Sequence, residues 1–154
     1  GRGVYLSPDR DTVLQALTTK GLNRIFKGWS GPDVDGATVV QETAARLQGR
    51  VLDQLALARR AGKLAMGVEE TLTLLRGAPD TPVVVAGDVS ARSLQRLEQA
   101  GARLIVLETK EKLGSRIGRG EIGALGIHPS VFARRVLGDW ERHQRLTNPP
   151  AVGA

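Results

Sequence analysis

Two short apolar runs constrain this sequence most: residues 82–86 (PVVVA) and 103–107 (RLIVL). An uninterrupted apolar run of that length, bounded by turn residues, reads as a strand covered on both faces. Between and around the runs lie helical patterns, each closed by glycine. Residues 51–61 place Val51, Leu52, Leu55 and Ala58 on one side, and Gly62 follows. A short extended piece, 63–66, leads into a helix over 67–76 with core face Val68, Leu72 and Leu75. Ser90 caps a helix over 91–100, with Leu94 and Leu97 inward and Gly101 at its end. Thr109 caps a helix over 110–117, with Leu113 and Ile117 inward. Residues 121–127 read as a third strand, and a helix over 129–138 opens with Pro129 and packs Phe132 and Val136. Strands alternating with helices predict an α/β fold: a three-layer α/β/α sandwich with a roughly four-stranded sheet.

Ahead of this region the pattern differs. Residues 4–7 read as a strand, and Ser7-Pro8 as a helix start with Asp9 and Asp11 in the first turn. Val13, Leu14 and Leu17 form the buried stripe, and Gly21 stops the helix. A second short helix turns Leu22, Ile25 and Phe26 inward. Residues 28–37 (GWSGPDVDGA) read as a linker, which the weakly helical 38–49 extend. The expected organisation is a small strand–helix–helix unit over 1–28, a linker over 29–50, the α/β/α domain over 51–140 and a polar, frayed tail over 141–154.

Charge narrows the partners. The net charge is +6, and of 22 basic residues five are Lys and seventeen Arg. A basic balance favours polyanions, nucleic acid before anionic membrane. Arg usage alone does not decide, because a GC-rich genome also encodes Arg. Aromatics make up only 3% of the chain, and Tyr5, Phe26, Trp29, Phe132 and Trp140 are scattered. Base stacking on an aromatic face is therefore not the expected grip. There is no Cys and no apolar run of 18 residues, which points to a reducing, cytoplasmic setting without a membrane span.

Motifs for catalysis are missing. His128 and His143 lack a companion cluster and read as solvated. No H-x-x-x-H, G-x-S-x-G or G-x-x-x-x-G-K occurs, so no enzyme activity, cofactor or metal is expected. Gly118-Arg-Gly120-Glu-Ile-Gly123 matches G-x-G-x-x-G, but a helix precedes it and a strand follows. The dinucleotide fingerprint needs the reverse order, so this reads as a helix-to-strand loop.

Three places suit nucleic acid. Arg59, Arg60, Gly62 and Lys63 end one helix, and Gly67 opens the next, with Glu69, Glu70 and Thr73 on or near its outer face. Free N–H groups at that opening can receive a phosphate or base acceptor, whereas the two glutamates equally suit the helix dipole. Lys112, Arg116 and Arg119 form a basic stripe at i, i+4, i+7 beside Gly118. Lys20, Arg24 and Lys27 form another, with Arg2 nearby in sequence. A solvated helix face explains either stripe as well as a phosphate contact does.

These residues carry two resemblances. Residues 1–28, with Gly1, Arg2, Gly3 and Tyr5 at their start, resemble the C-terminal half of the YlxR-type domain, a small basic unit regarded as nucleic-acid-binding. Residues 51–138 resemble the YlxQ-like branch of the kink-turn-binding ribosomal-protein superfamily, through 57–63 (LARRAGK), 67–70 (GVEE), 85–90 (VAGDVS) and 112–118 (KLGSRIG). The resemblance implies the same α/β/α sandwich. It also implies that Gly67 and Glu70 hold places that touch tandem G·A pairs in kink-turn binders. Glu69 stands where those proteins have Asn and Thr73 where they have Lys, which removes a phosphate contact and adds a carboxylate. The implied function is a non-catalytic RNA-binding accessory protein of transcription, translation or ribosome and RNA processing. Its expected partner is structured RNA, with ribosome or transcription-complex association, gripped by the 60–73 and 116–122 loops at one rim. The alternative is a protein–protein adaptor or a general nucleic-acid-binding regulator.

Overall fold

The computed structural model describes residues 5–27, 31 and 34–147. The chain divides into two compact units, residues 49–138 and residues 1–48 with 139–154.

The first of these is the expected sandwich. Its sheet holds β1 (Leu64–Met66), β2 (Pro82–Val85), β3 (Arg103–Val106) and β4 (Ala124–Ile127) in the order β1-β4-β2-β3. β2 and β3 run parallel, with Val84 opposite Ile105; β4 runs antiparallel to β2 and to β1, with Leu125 opposite Val84 and Met66. Alternation along the strands sends Val83, Val85 and Ala124 to one face. There they pack with Leu72 and Leu75 of α4 (Val68–Gly77) and Leu97 of α5 (Ala91–Gln99). Val84, Ile105, Leu125 and Ile127 point the other way. The buried stripes of three other helices supply that layer. These are Val51, Leu55 and Ala58 of α3 (Gly36–Arg60), Leu113 of α6 (Lys110–Arg116) and Val136 of α7 (Val131–Thr147). Each fully buried Leu or Val contributes about 1.5–3 kcal/mol.

β2 and β4 are buried along their whole length, whereas β3 is not. The apolar run at 103–107 was expected to be covered; as an edge strand it leaves Arg103 exposed and Val106 53% exposed. The third strand is shorter than 121–127, because residues 121–123 belong to the loop that enters it.

The second unit departs more from expectation. Residues 5–7 form no strand, and Val4 lies outside the described residues. The first helix, α1 (Arg10–Ala16), starts at Asp9 rather than Ser7, since the Asp9 carboxylate accepts from the N–H of Asp11 (2.9 Å). Gly21 does not stop it; it lies inside α2 (Thr19–Ile25), whose cap is Thr18. A Cβ on Gly21 would come within 2.5 Å of the Gln15 and Ala16 carbonyl oxygens, so glycine lets α2 fold back against α1. Leu22 is buried, but Ile25 and Phe26 are exposed rather than turned inward.

Residues 36–50, read as part of a linker, are the start of the 25-residue helix α3. Asp35 caps it, accepting from the N–H of Ala37 (3.0 Å) and the hydroxyl of Thr38 (2.7 Å). The Thr38 hydrogen bond, first among the causes, holds the Asp35 carboxyl below its ordinary value. Val40, Ala44, Leu47, Val51, Leu55 and Ala58 make one continuous stripe at three- and four-residue spacing, which carries the helix through Gly49. α7 likewise continues past Gly138 to Thr147, where a frayed tail was expected, because Leu146 packs with Val13 and Leu47.

His143, read as solvated, is buried in this unit. Its ring stacks on Trp140 at 4.6 Å, and its Nε2 lies 3.1 Å from Gln48 Nε2. An amide nitrogen can only donate, so in this arrangement the imidazole Nε2 is the acceptor. Asp139, one turn earlier, is engaged by Arg142 at 3.2 Å. Burial holds the imidazole below its ordinary value. The unfolded chain therefore binds the proton more readily than the folded one. Stability of this unit is expected to fall as pH drops below about 6.5 and to level off below the folded-state value. Thermal melts at about pH 5 and about pH 7.5 check this, and His143→Gln should flatten the difference.

Candidate nucleic-acid interface

One end of the sheet gathers four connections. Gly67, the residue before α4, donates to the Ala124 carbonyl (2.8 Å), and Ala86 donates to Gly123 (3.0 Å). Gly87 donates to Glu108 (2.8 Å), Ile122 to Lys110 (3.0 Å), and the Asp88 carboxylate accepts from the Lys110 N–H (2.8 Å). These bonds tie the β1–α4, β2–α5, β3–α6 and α6–β4 connections into one rim. Gly67 sits at φ 98°, a conformation side chains disfavour, and offers no side-chain cap. The first-turn N–H groups of α4 are thereby left for solvent or a ligand.

The polar groups beside that opening are largely committed within the protein. Glu69 is held by Arg96, with Nη1–Oε1 at 2.7 Å and Nη2–Oε2 at 3.3 Å. The Arg96 hydrogen bond lowers the Glu69 carboxyl pKa and raises that of Arg96. Glu70 accepts from the Met66 N–H at 2.9 Å, closing the helix start on itself. The Thr73 hydroxyl donates to the Glu69 carbonyl at 3.1 Å.

The remaining basic residues fall elsewhere. Lys63 is exposed, and its carbonyl accepts from the His128 N–H (2.9 Å). It stands at the opposite end of β1 from Gly67, about 13 Å away over four residue steps of strand. Arg60 is exposed in the last turn of α3, and Gly62 follows in the left-handed region at φ 69°. Lys112, Arg116, Gly118 and Arg119 are all exposed. Lys112 faces Glu108 at 3.7 Å, and Arg116 faces Asp53 at 3.6 Å. The structure thus places the expected residues at Gly67 and α4, along α6 and the Gly118–Arg119 loop that follows it, and at the C-terminal end of α3. In the other unit Lys20, Arg24 and Lys27 are exposed, and Arg2 lies outside the described residues.

Three features of the site were not read from the sequence: the Glu69–Arg96 pair, the Asp88 cap on Lys110 and the packing of Gly114. The Gly118–Gly120 loop folds back on α6, with Arg119 N–H donating to the Gly114 carbonyl at 2.7 Å. A Cβ on Gly114 would overlap the Gly120 carbonyl oxygen. A glycine within a helical pattern, which costs about 1 kcal/mol against Ala, was the available signal. The G-x-G-x-x-G stretch is a helix-to-strand loop, as expected.

Among the described residues no helix is long and apolar enough to cross a membrane. No family model matches the sequence, and no curated protein matches it. Solved structures do share its fold. A protein of unknown function from Bacillus halodurans C is similar at 23% identity and TM-score 0.52, over 59% of this chain and 96% of its own. The Giardia lamblia 15.5kD RNA binding protein is similar at 15% identity and TM-score 0.53, over 66% of this chain and 90% of its own. The chain has an α/β/α fold that it shares with these two proteins.

Proposed function

We propose that the chain is a non-catalytic RNA-binding protein that serves transcription, translation or RNA processing, as a relative of the YlxQ-like kink-turn binders. The observation that carries this reading is the fold held in common with an RNA-binding protein, joined to a net charge of +6. Exposed Arg and Lys contact phosphates, and the open first turn of α4 receives a further acceptor. Glu69 and Thr73 are turned to intramolecular partners, so readout of G·A pairs is reduced and shape and charge dominate. The N-terminal helices carry the second stripe, Lys20, Arg24 and Lys27, and fit the YlxR-type reading.

Binding to structured RNA is expected to weaken with salt, with a log–log slope of roughly −3 to −5 for about 4–6 neutralised phosphates. Filter binding against duplex DNA as competitor measures it. No RNA preference at low salt would sink the reading. It would favour a protein–protein adaptor, for which the exposed Val106 on the edge strand β3 is the supporting observation.

A further inference from the structure

The last turns of α3 and α6 enclose an open cavity of about 270 Å³, lined by Ala56, Arg59, Arg60, Arg116, Ile117 and Gly118. Three arginines line this one cavity, and their like charges favour an anion beside them to the extent that solvent does not screen them. Only one has an anionic partner: Arg116 meets Asp53 at 3.6 Å. Among the described residues, Arg59 and Arg60 have no carboxylate partner.

A simpler role for such arginines is to complement the negative ends of two helix dipoles. Terminal carbonyls at both ends, however, already have backbone donors. In α3 the N–H groups of Ala61, Gly62 and Lys63 reach the carbonyls of Leu57, Arg59 and Ala58. In α6 those of Ile117, Gly118 and Arg119 reach Gly114, Ser115 and Gly114. The Arg59 and Arg60 forks keep unused donors, and a planar fork matches phosphate oxygens in pairs. The wall beside them is shaped to admit this. Gly118 takes φ 71°, and a Cβ there would come 2.9 Å from Arg59 Nη1.

We propose that this cavity is a phosphate-binding site, lined by other residues than the opening of α4, with Arg59 and Arg60 as its main ligands and Arg116 shared with Asp53. Its ligand is a phosphate group, carried either by an RNA backbone or by a free phosphorylated small molecule. The first source rests on the RNA-binding reading; the second does not.

Two probes separate the sources on the full chain: sodium pyrophosphate at constant ionic strength, and a structured RNA. The readouts are the arginine Nε–Hε resonances of ¹⁵N-labelled protein and the RNA affinity of an Arg59→Gln/Arg60→Gln variant. Both side chains are exposed, so the variant should melt like the parent. Saturable shifts of the Arg59, Arg60 and Arg116 signals with pyrophosphate are expected in the parent, and the Arg116 shift should be lost in the variant. RNA affinity should fall about tenfold, with a salt slope shallower by roughly 2. A pyrophosphate response with unchanged RNA affinity establishes the site and assigns it to a free phosphorylated ligand. An RNA response alone assigns it to the RNA backbone. Neither response, in a folded variant, overturns the proposal. A parent chain that binds no RNA yet responds to pyrophosphate would fail the RNA reading and leave this site standing.

Discussion

Gly114→Ala is expected to cost the α/β/α unit about 3 kcal/mol, the upper end for forced overpacking. The added Cβ would overlap the Gly120 carbonyl oxygen, a backbone atom that cannot swing aside as a side chain can. Relief requires lifting the Gly118–Gly120 loop from α6, which breaks the 2.7 Å bond from Arg119 N–H to the Gly114 carbonyl. Urea unfolding followed by circular dichroism measures the loss. Gly120→Ala is the matched control, since a Cβ there meets nothing within 4 Å. Equal midpoints for the two variants would show that the loop does not rest on α6.

A charge-reversed triple variant, Lys63→Glu with Arg116→Glu and Arg119→Glu, should lower RNA affinity roughly 100-fold and make the salt slope shallower by about 3. All three side chains are exposed. The only ion pair seen for them among the described residues is Arg116 with Asp53 at 3.6 Å, partly exposed and so worth little. The fold should therefore survive, and its melting curve is the control. Unchanged affinity in the folded variant would remove these residues from the interface. Because Lys63 stands at the opposite end of β1 from Gly67, the single variants also map how far a bound RNA extends.

The sequence was most legible where burial is nearly complete. Val83, Val84 and Val85 have no polar alternation to confuse a strand with a helix, and β2 lies where that run predicts. The helices around it were readable from glycines and caps: Ser90 and Thr109 both accept from a first-turn N–H. The amino-terminal half of α3 was not, because Gly49 and many polar residues dilute its stripe. Only the pairing of Leu47 with Val13 and Leu146 shows why the helix persists. The same applies to residues 141–147, whose polar composition hides Leu146 and the Trp140–His143 stack.

Exposure of the basic side chains followed from their spacing, but their grouping did not. Glu69 and Arg96 are 27 residues apart and meet only because α4 and α5 cover the same sheet face. Lys63 and Gly67 are close in sequence, yet a strand separates them. Arg59 meets the Gly118 loop through packing of α3 beside α6, a contact that no local pattern encodes.

The position of β4 bears on how the chain is made. It is the last in sequence of the sheet's four strands and one of the two inner strands in space, the one that joins β1 to the β2–β3 pair. A chain emerging from its amino terminus can form the parallel pair early, with α5 as its crossover. Until residue 127 is available, β1 has no partner and one side of β2 is open. The sheet therefore closes only once β4 has emerged, through contacts that span most of the unit, and nascent chains ending before β4 expose strand edges to one another.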